Sequence, residues 1–176
     1  MLDLGTKIPD FKLVNSLNQQ VYSSSVLNND KPSLLMVICN HCPYVIHYHE
    51  ELQQLSNKYC REIDFVAMSS NDVDRYPQDG PGEMKKLFDR LGLNFPYLYD
   101  ETQEVSKSLH AECTPEFYLY GSNNELVYRG RLDASSPGKD IPITGINLRT
   151  AIEALLNGDA VSTEQHPSMG CSIKWK

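Results

Sequence analysis

The order of elements predicts an α/β domain: a central mixed β-sheet with helices on its faces and a β-hairpin at the N-terminus. Three observations carry this. Apolar runs at residues 33–38 and 63–68 alternate with amphipathic segments through the middle of the chain. Residues 8–14 alternate apolar and polar side chains, then give way to a turn and a return strand from Val21. A second hairpin, residues 117–120 and 125–131 around a Gly/Asn turn, precedes one last helical segment.

In chain order, residues 28–32 read as a loop. Residues 33–38 read as a strand buried on both faces. The amphipathic segment from Tyr44 to about Lys58 carries Val45, Leu52 and Leu55 on its apolar side, with Glu50, Glu51 and Lys58 expected outside. Residues 63–68 form a second core strand, ending in the polar loop 69–72, where Asp72 and Asp74 are expected to face solvent. A break at Asp79-Gly80-Pro81-Gly82 leads to a helix over 83–91, with Met84, Leu87, Phe88 and Leu91 at helical spacing. Residues 95–99 are extended, and Thr102 is the expected cap of a helix over 103–110. Residues 133–144 form a Gly/Pro/Ser-rich loop, and a helix over 148–156 closes at Asn157-Gly158. The whole, residues 1–176, is expected to be one domain, with 159–176 a C-terminal tail.

The 176 residues carry 16 Lys and Arg against 23 Asp and Glu, a net charge of -7, with no basic run, which argues against a nucleic-acid partner. Residues 1–7 have neither a basic start nor an apolar core, and no apolar run approaches membrane-spanning length. No signal peptide and no membrane partner are expected, and the cytoplasm is the default compartment. The five cysteines (Cys39, Cys42, Cys60, Cys113 and Cys171) make a poor disulfide framework; redox or metal chemistry is the better reading.

Chemistry concentrates at Cys39-Asn40-His41-Cys42-Pro43. This Cys-x-x-Cys pair ends a buried strand and opens a helix. Helix N-terminal N–H groups and the helix dipole favour thiolate over thiol. Cys39, the outer cysteine, is the expected nucleophile, and Cys42, one turn into the helix, resolves the mixed disulfide. Pro43 is tolerated in a first turn. His41 is expected to support the Cys39 thiolate electrostatically. His47 and His49, two apart, are poor chelators and are expected to be solvated. Cys60 reads as structural.

With these residues, and with Cys113-Thr114-Pro115-Glu116 opening a later strand, the chain resembles the thioredoxin-fold superfamily. Within it the closer likeness is to the redoxin branch, which includes peroxiredoxin-like and alkyl-hydroperoxide-reductase-like proteins. Residues 95–102, 113–119 and 128–131 carry the rest of the likeness, which spans about residues 8–158. The resemblance implies a thioredoxin-like fold, a cis Pro115, and Thr114 lining the substrate groove beside Cys39. Cys113 is then near the active-site loop, as buried filler or auxiliary thiol. Cys171 belongs either to a tail docked through Ile173 and Trp175 or to a third redox thiol.

The expected function is thiol–disulfide oxidoreduction with no organic cofactor and no metal. Its partners are a disulfide-containing protein or small thiol substrate and an unidentified electron donor, and the chain acts as monomer or homodimer. The first alternative is a hydroperoxide reductase, an antioxidant activity. Peroxiredoxins carry Pro-x-x-x-Thr-x-x-Cys; Pro32 and Cys39 match, but Met36 replaces the threonine, and a thioether cannot donate the hydrogen bond that positions a peroxide. A further alternative is a non-enzymatic soft-metal (copper) carrier using the two cysteines and His110.

Overall fold

A computed structural model of the chain describes residues 2–27 and 31–176. Of the loop expected at 28–32, residues 28–30 lie outside the described residues. Strand β3 (Ser33–Val37) is the axis of the fold, and all five of its residues are buried. It pairs in parallel with β4 (Asp64–Ser69) and antiparallel with β7 (Glu116–Tyr120). Beyond β4 lie β5 (Tyr97–Tyr99), parallel to it, and the N-terminal hairpin of β1 (Lys12–Asn15) and β2 (Val21–Ser23). Strand β8 (Leu126–Gly130) closes the other edge, so the seven-stranded order is β2-β1-β5-β4-β3-β7-β8. The mixed sheet is the one expected.

Successive side chains of a strand point to opposite faces, and β3 feeds two cores. Leu34 and Met36 join the face that buries Leu52, Leu55, Phe88, Leu148 and Ile152. These come from α2 (His49–Tyr59), α3 (Pro81–Leu91) and α5 (Ile146–Asn157). Leu35 and Val37 join the other, with Val105, Leu109 and Ile173. There α4 (Glu104–Ser108) and the C-terminal tail supply the cover.

Several local expectations are corrected. The segment after the cysteines is two helices, α1 (Pro43–His47) and α2, separated at Tyr48, whose hydroxyl donates to the Asp133 carboxylate (2.9 Å) and the Ser135 carbonyl (2.6 Å). Glu51 is buried rather than exposed because Arg149 Nε reaches its carboxylate at 2.6 Å. Thr102 does not cap α4; the buried Asp100 carboxylate accepts the Ser106 N–H at 2.9 Å instead. Asp72 is buried, its own N–H bonded to the Lys174 carbonyl at 2.8 Å. His47 and His49 are half-buried, and His47 Nε2 lies 2.7 Å from Ser135 Oγ. Cys60 is exposed at the end of α2.

The tail is not free. Strand β9 (Cys171–Ser172) pairs antiparallel with β6 (Cys113–Thr114) in a second, two-stranded sheet.

Candidate active site

Strand β3 delivers Cys39 to the end of the sheet, and Cys42 is the residue that caps α1. The helix thus begins after Cys42, rather than a turn before it. Pro43 is the first helical residue, where its missing N–H costs nothing. The Thr114–Pro115 peptide is cis and faces the pair. Thr114 touches both cysteines: its hydroxyl lies 3.4 Å from Cys39 Sγ, and its carbonyl accepts from the Cys42 thiol at 3.1 Å. All five cysteines are free thiols.

Both site cysteines are buried, Cys39 at 1% and Cys42 at 0% exposure. The two thiols titrate together, one raised and the other lowered, so the pair holds one negative charge between them. Cys42 is the low-pKa partner, lowered to about 4, first by the hydrogen bond from Cys39. Burial opposes this, while the Thr114 hydroxyl and the backbone N–H groups of Cys171 and Val45 add to it. Cys39 is raised well above an ordinary thiol by its bond to Cys42, by burial and by the negative charge of Asp79.

Asp79 is the site residue that the sequence did not mark. It is fully buried at the end of a short 3-10 turn, Pro77–Asp79. One carboxylate oxygen accepts the backbone N–H groups of Asn40 (2.8 Å) and His41 (3.2 Å). The other lies 2.6 Å from His41 Nδ1 and accepts Asn71 Nδ2 at 2.8 Å. Asp79 therefore shapes the loop between the cysteines. His41, stacked on Tyr76 at 5.5 Å, is held by this carboxylate. Asn40 also donates to the Gln78 carbonyl (2.9 Å) and accepts from the Tyr97 hydroxyl (3.2 Å). Residues 38 positions apart leave no local sequence signal; only the Asp-Gly-Pro-Gly break was visible.

Ligand atoms of Cys39, His41 and Asp79 lie within 4.8 Å of one another. A carboxylate offers about four lone-pair sites, and Asp79 already fills four. The arrangement is a completed hydrogen-bond network. His110 is elsewhere, at the exposed end of α4 beside a surface hollow with Trp175. Cys113 is half-buried, and burial, then the Glu116 carboxylate, push its thiol up to about 12.

A Cys-x-x-Cys at a strand–helix junction, faced by a cis-proline strand on a mixed sheet, defines a dithiol protein of the thioredoxin-like fold. Comparison with known proteins agrees and narrows the class. The Redoxin family profile matches residues 3–144, and the chain belongs to that family. A curated relative, the thiol:disulfide interchange protein DsbE of Escherichia coli (strain K12), is 32% identical over 127 residues, 72% of this chain. The matched region spans 64% of that relative's length. Among solved structures, an uncharacterized conserved protein from Geobacillus kaustophilus is 48% identical, with a TM-score of 0.97 over 100% of this chain and 94% of the other. A secreted Mycobacterium tuberculosis disulfide oxidoreductase shares the fold at 17% identity, with a TM-score of 0.64 over 82% and 96% of the two chains.

Proposed function

We propose that this protein is a thiol–disulfide oxidoreductase whose Cys39–Cys42 pair cycles between dithiol and disulfide. The observation that carries the reading is the contact of two free thiols, one charge between them, against Thr114 and cis Pro115. The activity named for the DsbE relatives supports it at the level of reaction class. Cys39 attacks one sulfur of a substrate disulfide and gives its proton to the Cys42 thiolate as the new S–S bond forms. The other substrate sulfur leaves as thiolate and takes up that proton, which restores the Cys42 thiolate. Cys42 then attacks Cys39 and expels the second substrate sulfur, leaving the Cys39–Cys42 disulfide. A disulfide-containing protein or small thiol is the substrate class, and an electron donor returns the pair to the dithiol.

Hydroperoxide reduction has less support. Met36 is buried in β3 with no donor to offer a peroxide, and the charge acting on Cys39 is an anion.

The test is a redox titration of the full chain in glutathione buffers, with alkylation and peptide mass spectrometry. A stabilised Cys42 thiolate favours the reduced form, so the potential should fall in the range of about -230 to -180 mV. Cys39→Ser should abolish turnover. Absence of a reversible Cys39–Cys42 disulfide, or full activity of Cys39→Ser, would overturn the reading.

A further inference from the structure

We propose that Cys171 is a third redox-active thiol, which the C-terminal strand holds against Cys42 so that it can exchange disulfides with the buried pair. The proposal rests on the dithiol reading above and deepens it.

The first observation is register. Strand β9 lies along β6 with Cys171 opposite Thr114, the residue before cis Pro115, and Ser172 opposite Cys113. This edge is where an extended peptide adds to a sheet through main-chain bonds, and the chain's own tail fills it. The second is contact. The Cys42 thiol reaches the Thr114 carbonyl at 3.1 Å, Thr114 is the residue opposite Cys171, and Cys42 and Cys171 each shift the other's ionisation. Cys42 is the thiol whose ionisation is tied to both of the others. The third is access. Cys39 and Cys42 are buried, whereas Cys171 is half-exposed at the surface above them.

The placement is built. Ile173 is buried, and its N–H bonds the Glu112 carbonyl at 3.1 Å. Lys174 N–H reaches Asn71 Oδ1 at 2.8 Å, and its carbonyl accepts from Asp72 N–H (2.8 Å) and Gln103 Nε2 (3.1 Å). Asn71 also binds Asp79, so one side chain joins the tail to the loop between the cysteines. Gly170 lies so close to Thr114 that a Cβ would collide with its carbonyl. The tail therefore reaches Cys42 only because residue 170 has no side chain.

Burial, then the bond to Cys42, push the Cys171 thiol up to about 11, so it is quiet while the pair is reduced. Once Cys42 is in a disulfide, that neighbouring charge is gone and Cys171 ionises more readily. The exchange then balances as follows. Cys171 loses its proton and attacks Cys42 Sγ; the Cys42–Cys171 bond forms, the Cys39–Cys42 bond breaks, and Cys39 leaves as thiolate and takes up a proton. An external thiol, as thiolate, attacks the half-exposed Cys171 sulfur and frees Cys42 as thiolate. A second external thiol attacks that mixed disulfide, leaving Cys171 as a thiol and the external pair oxidised. Run in reverse, the same steps accept a disulfide from outside.

The experiment oxidises full-length wild type and Cys39→Ser with one equivalent of diamide, quenches in acid, and maps disulfides by mass spectrometry. Cys39→Ser should yield an intramolecular Cys42–Cys171 disulfide; Cys42 left free or linked only between chains would overturn the proposal. In parallel, Cys171→Ser should slow reduction of the Cys39–Cys42 disulfide by dithiothreitol by about tenfold or more. A wild-type rate in that variant would overturn it as well. The wild-type arm keeps the two ideas apart. If Cys39–Cys42 forms there but either result above fails, the dithiol reading stands and the relay falls. If it does not form, the reading and the relay fall together.

Discussion

Asp79→Ala is the substitution from which the structure predicts most. The carboxylate is fully buried and accepts four hydrogen bonds, from the N–H groups of Asn40 and His41, from His41 Nδ1 and from Asn71 Nδ2. His41 is 26% exposed and can turn to water, but Asn71 is buried and the Asn40 N–H is half-covered. Stranding a buried donor costs about 1–3 kcal/mol, so two of them put the loss at about 2–6 kcal/mol. Asp79→Asn keeps an acceptor for the backbone pair and should lose about half of that. Urea unfolding of the reduced chain measures both. The same variants also remove an anion within 4.8 Å of the Cys39 sulfur. At an effective dielectric constant of about 20, that repulsion is about 3 kcal/mol. Alkylation of Cys39 at fixed pH should therefore speed up by about tenfold or more. An Asp79→Ala protein with wild-type stability and wild-type Cys39 alkylation would refute the role given to this residue.

Other consequences are as direct. Gly170→Ala should lift the tail from Thr114, so that Cys42 is alkylated faster and the Ile173 amide exchanges its hydrogen faster; wild-type rates would show that the strand tolerates a side chain there. The reduced protein should keep a thiolate ultraviolet band down to a pH of about 4, and Cys42→Ser should abolish it. Because the folded-state pKa of Cys42 is depressed, its stabilising contribution is complete above the ordinary thiol range and disappears as pH falls from there through about 4. The raised Cys39 acts only above that range, so the difference in pH-dependent unfolding between wild type and Cys42→Ser reports the Cys42 contribution below it. Phe88→Ala should cost about 3–5 kcal/mol by calorimetry, since the ring is buried, stacks on Tyr97 at 4.4 Å and meets Phe95 edge-on at 5.0 Å.

What the sequence determined by itself is the frame. The continuous apolar run at 33–37 could satisfy its side chains only between two covering layers, and β3 is buried on both faces. The period of Met84, Leu87 and Phe88 placed α3, and Gly158 past the last apolar turn placed the end of α5 in a left-handed cap. The paired cysteines and Thr114-Pro115 were visible because each is a local pattern tied to a strand end. Tertiary structure alone decided how the site works. Whether a charged residue is buried depends on what faces it: Glu51 is inside because Arg149 arrives from 98 positions away, and Asp79 because two backbone N–H groups, a histidine and an asparagine converge on it. Which thiol carries the charge depends on how the two sulfurs, Thr114 and the Asp79 carboxylate meet in space. The tail has no periodicity because it packs as a short edge strand through single residues: Gly170 by its lack of a side chain, Cys171 by its sulfur and Ile173 by its burial. Pattern along the chain reports elements that bury a face repeatedly; it cannot report a contact made once, between positions the fold alone brings together.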